Sequence, residues 1–224
     1  SHSGDFAGAL AILENLSTQY PNDTEILRQI GEIYQAQNNA TMAAFYLSEA
    51  YRQNPQNVEL LYQAYRAQET AGDSDSALRL LETLSEMDPA SMGSTQWVRL
   101  GELRAEANRY EPALQAYLKG VNPDKETPAP KTSAAIGDLF IKLNNLPLAE
   151  RWFTLAADSN DPNALTALFG LLEINLRNRN WEAAELNMKR LDAQFPGALD
   201  ASEWSQARTE LQRWRAAQEK MKAE

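Results

Sequence analysis

The chain of 224 residues has no cysteine and a single histidine, His2. Disulfides, thiolate nucleophiles and Cys/His metal sites are therefore excluded, and no metal or cofactor is expected. His2 stands in Ser1-His2-Ser3, which reads as a tag remnant covering residues 1–4 and leaves nothing for a histidine triad or a histidine general base. β-Branched apolar residues are scarce: seven Ile and three Val against 34 Ala and 29 Leu. Ala and Leu lose little on entering a helix, whereas Val and Ile are the natural strand formers, so the balance favours helix. No apolar run approaches the roughly 20 residues of a membrane span, and no direct membrane insertion is expected. Basic residues are few, 21 Lys+Arg against 31 Asp+Glu, a net charge of -10. A nucleic-acid binder draws most of its affinity from cations on phosphates, and this balance argues against one. The deficit is local. Residues 1–112 contain no lysine, with seven arginines against 16 acids, while residues 113–224 hold 14 basic and 15 acidic side chains.

Proline is placed periodically. Pro21, Pro55, Pro89 and Pro123 are spaced by 34 residues, as are Pro162 and Pro196; Ala9, Ala43 and Ala77, and Leu13, Leu47 and Leu81, repeat at the same interval. Between the prolines the apolar spacing is helical. The unit 24–57 has Leu27, Ile30, Gly31 and Tyr34 on one face of a first helix and Ala43, Leu47 and Ala50 on a second, closed by Pro55. Small residues at 31 and 43 let the two helices approach closely. Asn38-Asn39, Gly72-Asp73-Ser74, Asn108, Asn144-Asn145 and Asn180 supply turn and cap chemistry between the helices, and Asp161-Pro162 suggests a cap followed by proline in a first helical turn.

A 34-residue helix–turn–helix period with this residue order resembles the tetratricopeptide repeat (TPR) family, and the resemblance covers nearly the whole chain. It implies an all-α, right-handed superhelical solenoid of about five repeats, near 24–57, 58–91, 94–125, 130–163 and 165–198, with an extra helix at each end and the solenoid spanning 5–199. Two repeats depart from the pattern: Tyr65 stands where the second repeat should have a small residue, with Ala64 beside it, and Leu172 does so in the fifth. Trp97, Trp152 and Trp181 fall at repeat core positions. Two junctions are long: Met87–Gln96, and the three-proline segment Asn122–Lys131, read as a surface excursion and not as a domain boundary. Asp5–Gln19 reads as the second helix of a repeat whose first helix lies upstream, which suggests a fragment of a longer protein. Residues 200–224, with a cap at Asp200–Glu203 and a stripe of Trp204, Ala207, Leu211, Trp214, Gln218 and Met221, read as a C-terminal capping helix.

The resemblance also implies a working surface, the concave groove lined by first helices. Its residues here would be Arg28, Glu32 and Gln35; Tyr62, Arg66 and Glu69; Arg99, Glu102 and Glu106; Asp138 and Lys142; and Phe169 and Glu173. Arginines can grip a carboxylate through two hydrogen bonds, the acids suit a ligand with basic contact residues, and Tyr62 offers a flat amphipathic contact. The same charges could instead pair with one another. One subgroup of the family holds a C-terminal carboxylate with a Lys/Asn/Arg clamp; Arg28 and Glu32 occupy the Lys and Asn places, and Glu32 would repel that ligand. Glu102 and Glu106 share a helical face, but two carboxylates on one helix, with no Gly-rich phosphate loop, do not make a glycosidase. The expected function is therefore non-catalytic: a scaffold binding a protein or peptide segment in its groove, part of a larger bacterial envelope- or secretion-associated protein. The absence of cysteine fits the periplasm or another extracytoplasmic setting. The alternative is an assembly module that self-associates weakly through its ends or convex face.

Overall fold

The computed structural model describes residues 6–121, 127–157, 161–200 and 204–223. The proposed tag residues, Asn122–Glu126 of the three-proline segment and the Ala201–Glu203 portion of the expected cap lie outside these. Among the described residues there are twelve α-helices, one 3-10 turn and no strand. The helices form two compact units, one ending at Ala107 and the other starting at Asn108. The division falls inside the third repeat, between its two helices, and not at the three-proline segment.

The first unit contains α1 (Phe6–Gln19), α2 (Thr24–Ala36), α3 (Ala40–Gln53), α4 (Val58–Ala71), α5 (Ser74–Met87) and α6 (Ser94–Glu106). Each packs on the next, the pattern of a helix–turn–helix solenoid. The core follows the 34-residue register: Leu27, Ile30, Leu47, Leu61, Ala77, Leu81, Trp97 and Leu100 are buried. Gly31 sets the closest approach. A Cβ there would lie 2.6 Å from Leu47 Cγ, so only hydrogen fits between α2 and α3. In the second repeat Ala64 is completely buried and Tyr65 nearly so, and burial pushes the Tyr65 phenol up to about 12. The long junction after α5 is taken up by a 3-10 turn at Pro89–Ser91, with Met92 tucked inward. Helix α1 is apolar but contains no fully buried residue, and Ile12 is 65% exposed.

The second unit contains α7 (Tyr110–Gly120), α8 (Pro130–Lys142), α9 (Leu146–Ala157), α10 (Ala164–Arg177), α11 (Trp181–Gln194) and α12 (Ser205–Ala223). Its centre is Phe153 on α9, which is fully buried. A Cβ at Gly137 of α8 would come within 2.7 Å of one edge of its ring, and one at Gly170 of α10 within 2.4 Å of the other. Gly170 is a small residue of the fifth repeat, but not at the place where the family pattern has one. It stands two positions before Leu172 and serves the ring of the preceding repeat, while Leu172 itself is buried. Helix α10 starts after Pro162, not with it: the Asp161 side chain accepts from the Asn163 backbone N–H at 2.8 Å, and the helix begins at Ala164. In α12 only the first half of the expected stripe is covered. Ala207 and Leu211 are buried, Trp214 and Gln218 are half-covered, and Met221 is 69% exposed.

The turns between the two helices of each repeat obey one rule. The chain turns through a left-handed residue at Asn38, Gly72, Asn108, Asn144 and Arg179, and the second helix starts just after it. Asn and Gly tolerate that conformation; Arg179, at φ 55°, does so at a cost. Side-chain oxygens of Asp23, Asn39, Asn57, Asp73 and Asn180 accept from the free N–H groups that follow, each cap contributing about 1 kcal/mol.

Candidate functional site

In the first unit α2, α4 and α6 present neighbouring faces, with α4 in the middle. Two clefts open on either side of Arg66. One, about 510 Å³, is lined by Gln35, Asn38, Ala40, Ala43, Arg66, Ala67 and Thr70. The other, about 190 Å³, lies among Tyr62, Tyr65, Arg66, Glu69, Thr70, Thr95 and Gln96. Of the sequence-expected residues, Gln35, Tyr62, Arg66 and Glu69 thus line open space.

The charges divide sharply. Arg28 bonds Glu25 and Glu32 along its own helix, and this pairing holds the Glu25 carboxyl down at about 2. Arg99 reaches from α6 to α4, where its Nε and Nη2 donate to the Glu69 carboxylate at 3.0–3.1 Å; it also bonds Glu102 at 3.0 Å and lies 3.8 Å from Glu106. Arg28 and Arg99 are therefore neutralised in place. Arg66 has no carboxylate partner among the described residues. Its guanidinium carbon lies 6.0 Å from the centre of the Tyr62 ring, and its hydrogen bond to the Tyr62 hydroxyl holds that phenol below its usual value. The Gln96 amide also donates to the Tyr62 hydroxyl, at 3.3 Å, while its Oε1 accepts from the Gly93 N–H at 3.1 Å. Tyr62 is thus held from both α4 and α6, and Arg66, bonded to its hydroxyl, keeps a charge that no carboxylate among the described residues neutralises.

In the second unit Glu173 of α10 lies close enough to Asp138 of α8 for its charge to act on that carboxyl. Asp138 has ample exposed area, yet protein surrounds it and thins the water. Desolvation raises its carboxyl to about 6, Glu173 adds to the rise and Lys142 opposes it. Lys142 Nζ lies 5.0 Å from the centre of the Tyr110 ring, and Glu173 pairs with Arg177. Phe169 stacks on Trp204, 4.9 Å between centres and 13° between planes. That contact was not visible in the sequence, because Trp204 comes from the C-terminal segment, 35 residues away. Trp97 and Trp152 are buried at the core positions expected for them, but Trp181 is only half-covered. No group of three or more metal-ligating side chains occurs among the described residues.

Two tetratricopeptide repeat models match the chain, over residues 36–92 and 134–198, together more than half its length. The chain belongs to the tetratricopeptide repeat family. Its fold is shared with solved structures at low identity. YrrB, described as a TPR protein with an unusual peptide-binding site, is 14% identical with a TM-score of 0.64, over 85% of this chain and 97% of that one. MamA from Desulfovibrio magneticus RS-1, residues 41 to the end, is 17% identical with a TM-score of 0.57, over 76% and 92%. Pseudomonas aeruginosa pilF is 16% identical with a TM-score of 0.54, over 92% and 90%. No curated protein matches in sequence. The TPR fold is a protein-interaction scaffold, and no helix among the described residues is long and apolar enough to cross a membrane.

Proposed function

We propose that this TPR protein is a non-catalytic scaffold that holds a peptide segment of a partner protein along α2, α4 and α6, with Arg66 fixing its register. The observation that carries this reading is the position of Arg66 between two clefts, free of a carboxylate, while the arginines on either side are neutralised. A carboxylate or backbone carbonyl of the ligand would bond Arg66, and its neighbouring side chains would enter the two clefts. The acidic surplus of residues 1–112 suits a partner segment that is otherwise basic, drawn in by the field and bound more slowly as salt rises. Glu32, Glu102 and Glu106 would border the path. A place within a larger bacterial envelope- or secretion-associated protein is in keeping with the absence of cysteine. The second reading, self-association, draws on the exposed Ile12, Tyr20 and Phe45.

The test is capture from extract with the native chain, an Arg66→Glu variant and a Tyr62→Ala variant, read by mass spectrometry and repeated with the purified partner. Arg66→Glu should weaken binding of that partner at least about tenfold, the scale of losing one charge-assisted hydrogen-bond pair, with the circular-dichroism melt unchanged. A partner retained in full by Arg66→Glu removes the site from this face. Recovery of the chain itself as the sole binding species favours the assembly reading.

A further inference from the structure

A third cleft, about 480 Å³, lies in the second unit, where the turn into α11 meets α12. It is lined by Arg179, Trp181, Glu210, Arg213 and Trp214. We infer that this cleft is a second binding site, separate from the α2/α4/α6 face, and that it takes an acidic peptide segment anchored by an aromatic side chain. Three observations point the same way.

The first is the pair of tryptophans. An indole at a solenoid core position is normally covered, as Trp97 and Trp152 are, but Trp181 and Trp214 are half-covered and both face the cleft. Two large ring surfaces bordering an open volume suit a flat side chain, and the volume is in the range of small binding sites. The second is charge. Arg179 and Arg213 have no carboxylate partner among the described residues, although the chain carries an excess of ten acids. Glu210, also on the cleft, accepts from the Gln206 amide at 3.1 Å and leaves both guanidinium groups free. Two arginines against one glutamate favour a ligand with one or two carboxylates, and Glu210 disfavours a dense polyanion. The third is the backbone. Four of the five turns inside the repeats place Asn or Gly at the left-handed residue, and the fifth places Arg179 there, at φ 55°. An arginine held in that conformation beside an open cleft is strain that a binding role would explain. The cleft walls are tied down: Leu199, Ala207 and Leu211 are buried, and Arg215 of α12 bonds Glu185 of α11 at 2.9 Å.

The test uses the whole chain and an array of nine-residue peptides with a central Phe or Trp. Matched sets carry Glu, Gln or Lys on both sides, with inorganic phosphate as a further probe. Binding is followed through the indole N–H signals of Trp181 and Trp214, assigned with Trp→Phe variants. The Glu-flanked set should shift those two signals and bind at least about tenfold more tightly than the Lys-flanked set. Arg179→Gly removes the guanidinium and the backbone strain together, so it should raise the melting midpoint while weakening the Glu-flanked peptides; Arg213→Gln should weaken them without stabilising the fold. Indoles that do not move, or that respond equally to Lys-flanked peptides or phosphate, would overturn the proposal. So would shifts that follow protein concentration without peptide, which would mark a contact between copies. A response abolished by Arg66→Gln and insensitive to Arg179→Gly would return the ligand to the α2/α4/α6 face and leave that reading standing alone.

Discussion

At the scale of single residues, the closest contacts make the sharpest predictions. Gly170→Ala should cost roughly 1–3 kcal/mol, because its new methyl would stand 2.4 Å from the Phe153 ring with no flexible side chain to move aside. Chemical denaturation of Gly170→Ala, Phe153→Leu and the double variant checks this: the double variant should be less destabilised than the sum of the two. Asp138 gives a prediction with a definite sign. Its carboxyl, raised to about 6, binds a proton more readily in the folded state, so its contribution favours the fold below the ordinary carboxylate range and is lost as pH rises through about 6. Asp138→Asn should therefore stabilise the chain at pH 7, by no more than about 1 kcal/mol once screening of an exposed group is allowed for, and should have little effect at pH 4. A melt series across that range reads it. The sequence showed Asp138 as a groove position through its spacing, but not its crowded setting, because the neighbouring charge on Glu173 arrives from another helix.

At the scale of helices, the pattern was legible because each repeat restates it. Small residues at 31 and 137, prolines at the repeat junctions and Asn or Gly at the turns all carry local chemistry that periodicity exposes. Asp23 is a clear case: its carboxylate accepts from the N–H groups of Glu25 and Ile26, and Asp23→Ala should cost about 1 kcal/mol, measured as a lower denaturation midpoint with unchanged slope. What the pattern could not show were departures made good by another element. Leu172 fills the place of a small residue and is buried, while Gly170 on the same helix gives the notch for a ring on the preceding one. Arg28 and Arg99 looked like ligand-binding arginines, yet both are neutralised, and Arg99 finds its carboxylate on Glu69, 30 residues away. Whether an arginine is free or already engaged depends on side-chain reach across helices, which spacing along one helix does not encode.

At the scale of the whole molecule, stability in a repeat stack is carried by neighbour contacts, so protection should follow how many neighbours a helix has. Helix α1 packs on α2 and buries no residue completely, whereas α10 lies against α8, α9 and α11. Amide exchange should release α1 first and α10 last within their respective units. Equal protection in the two would mean that the chain opens as one block. The uneven charge belongs to this scale as well: seven arginines, no lysine and 16 acids in residues 1–112 make the field of that half a property no single contact reveals.

Phe153 also acts as a timekeeper. Its ring is clasped along opposite edges by Gly137 and Gly170, so a half-turn about its axis requires α8 and α10 to draw apart together. The frequency of that half-turn, visible as separate or merged ring-proton signals, would count how often the middle of the second unit breathes.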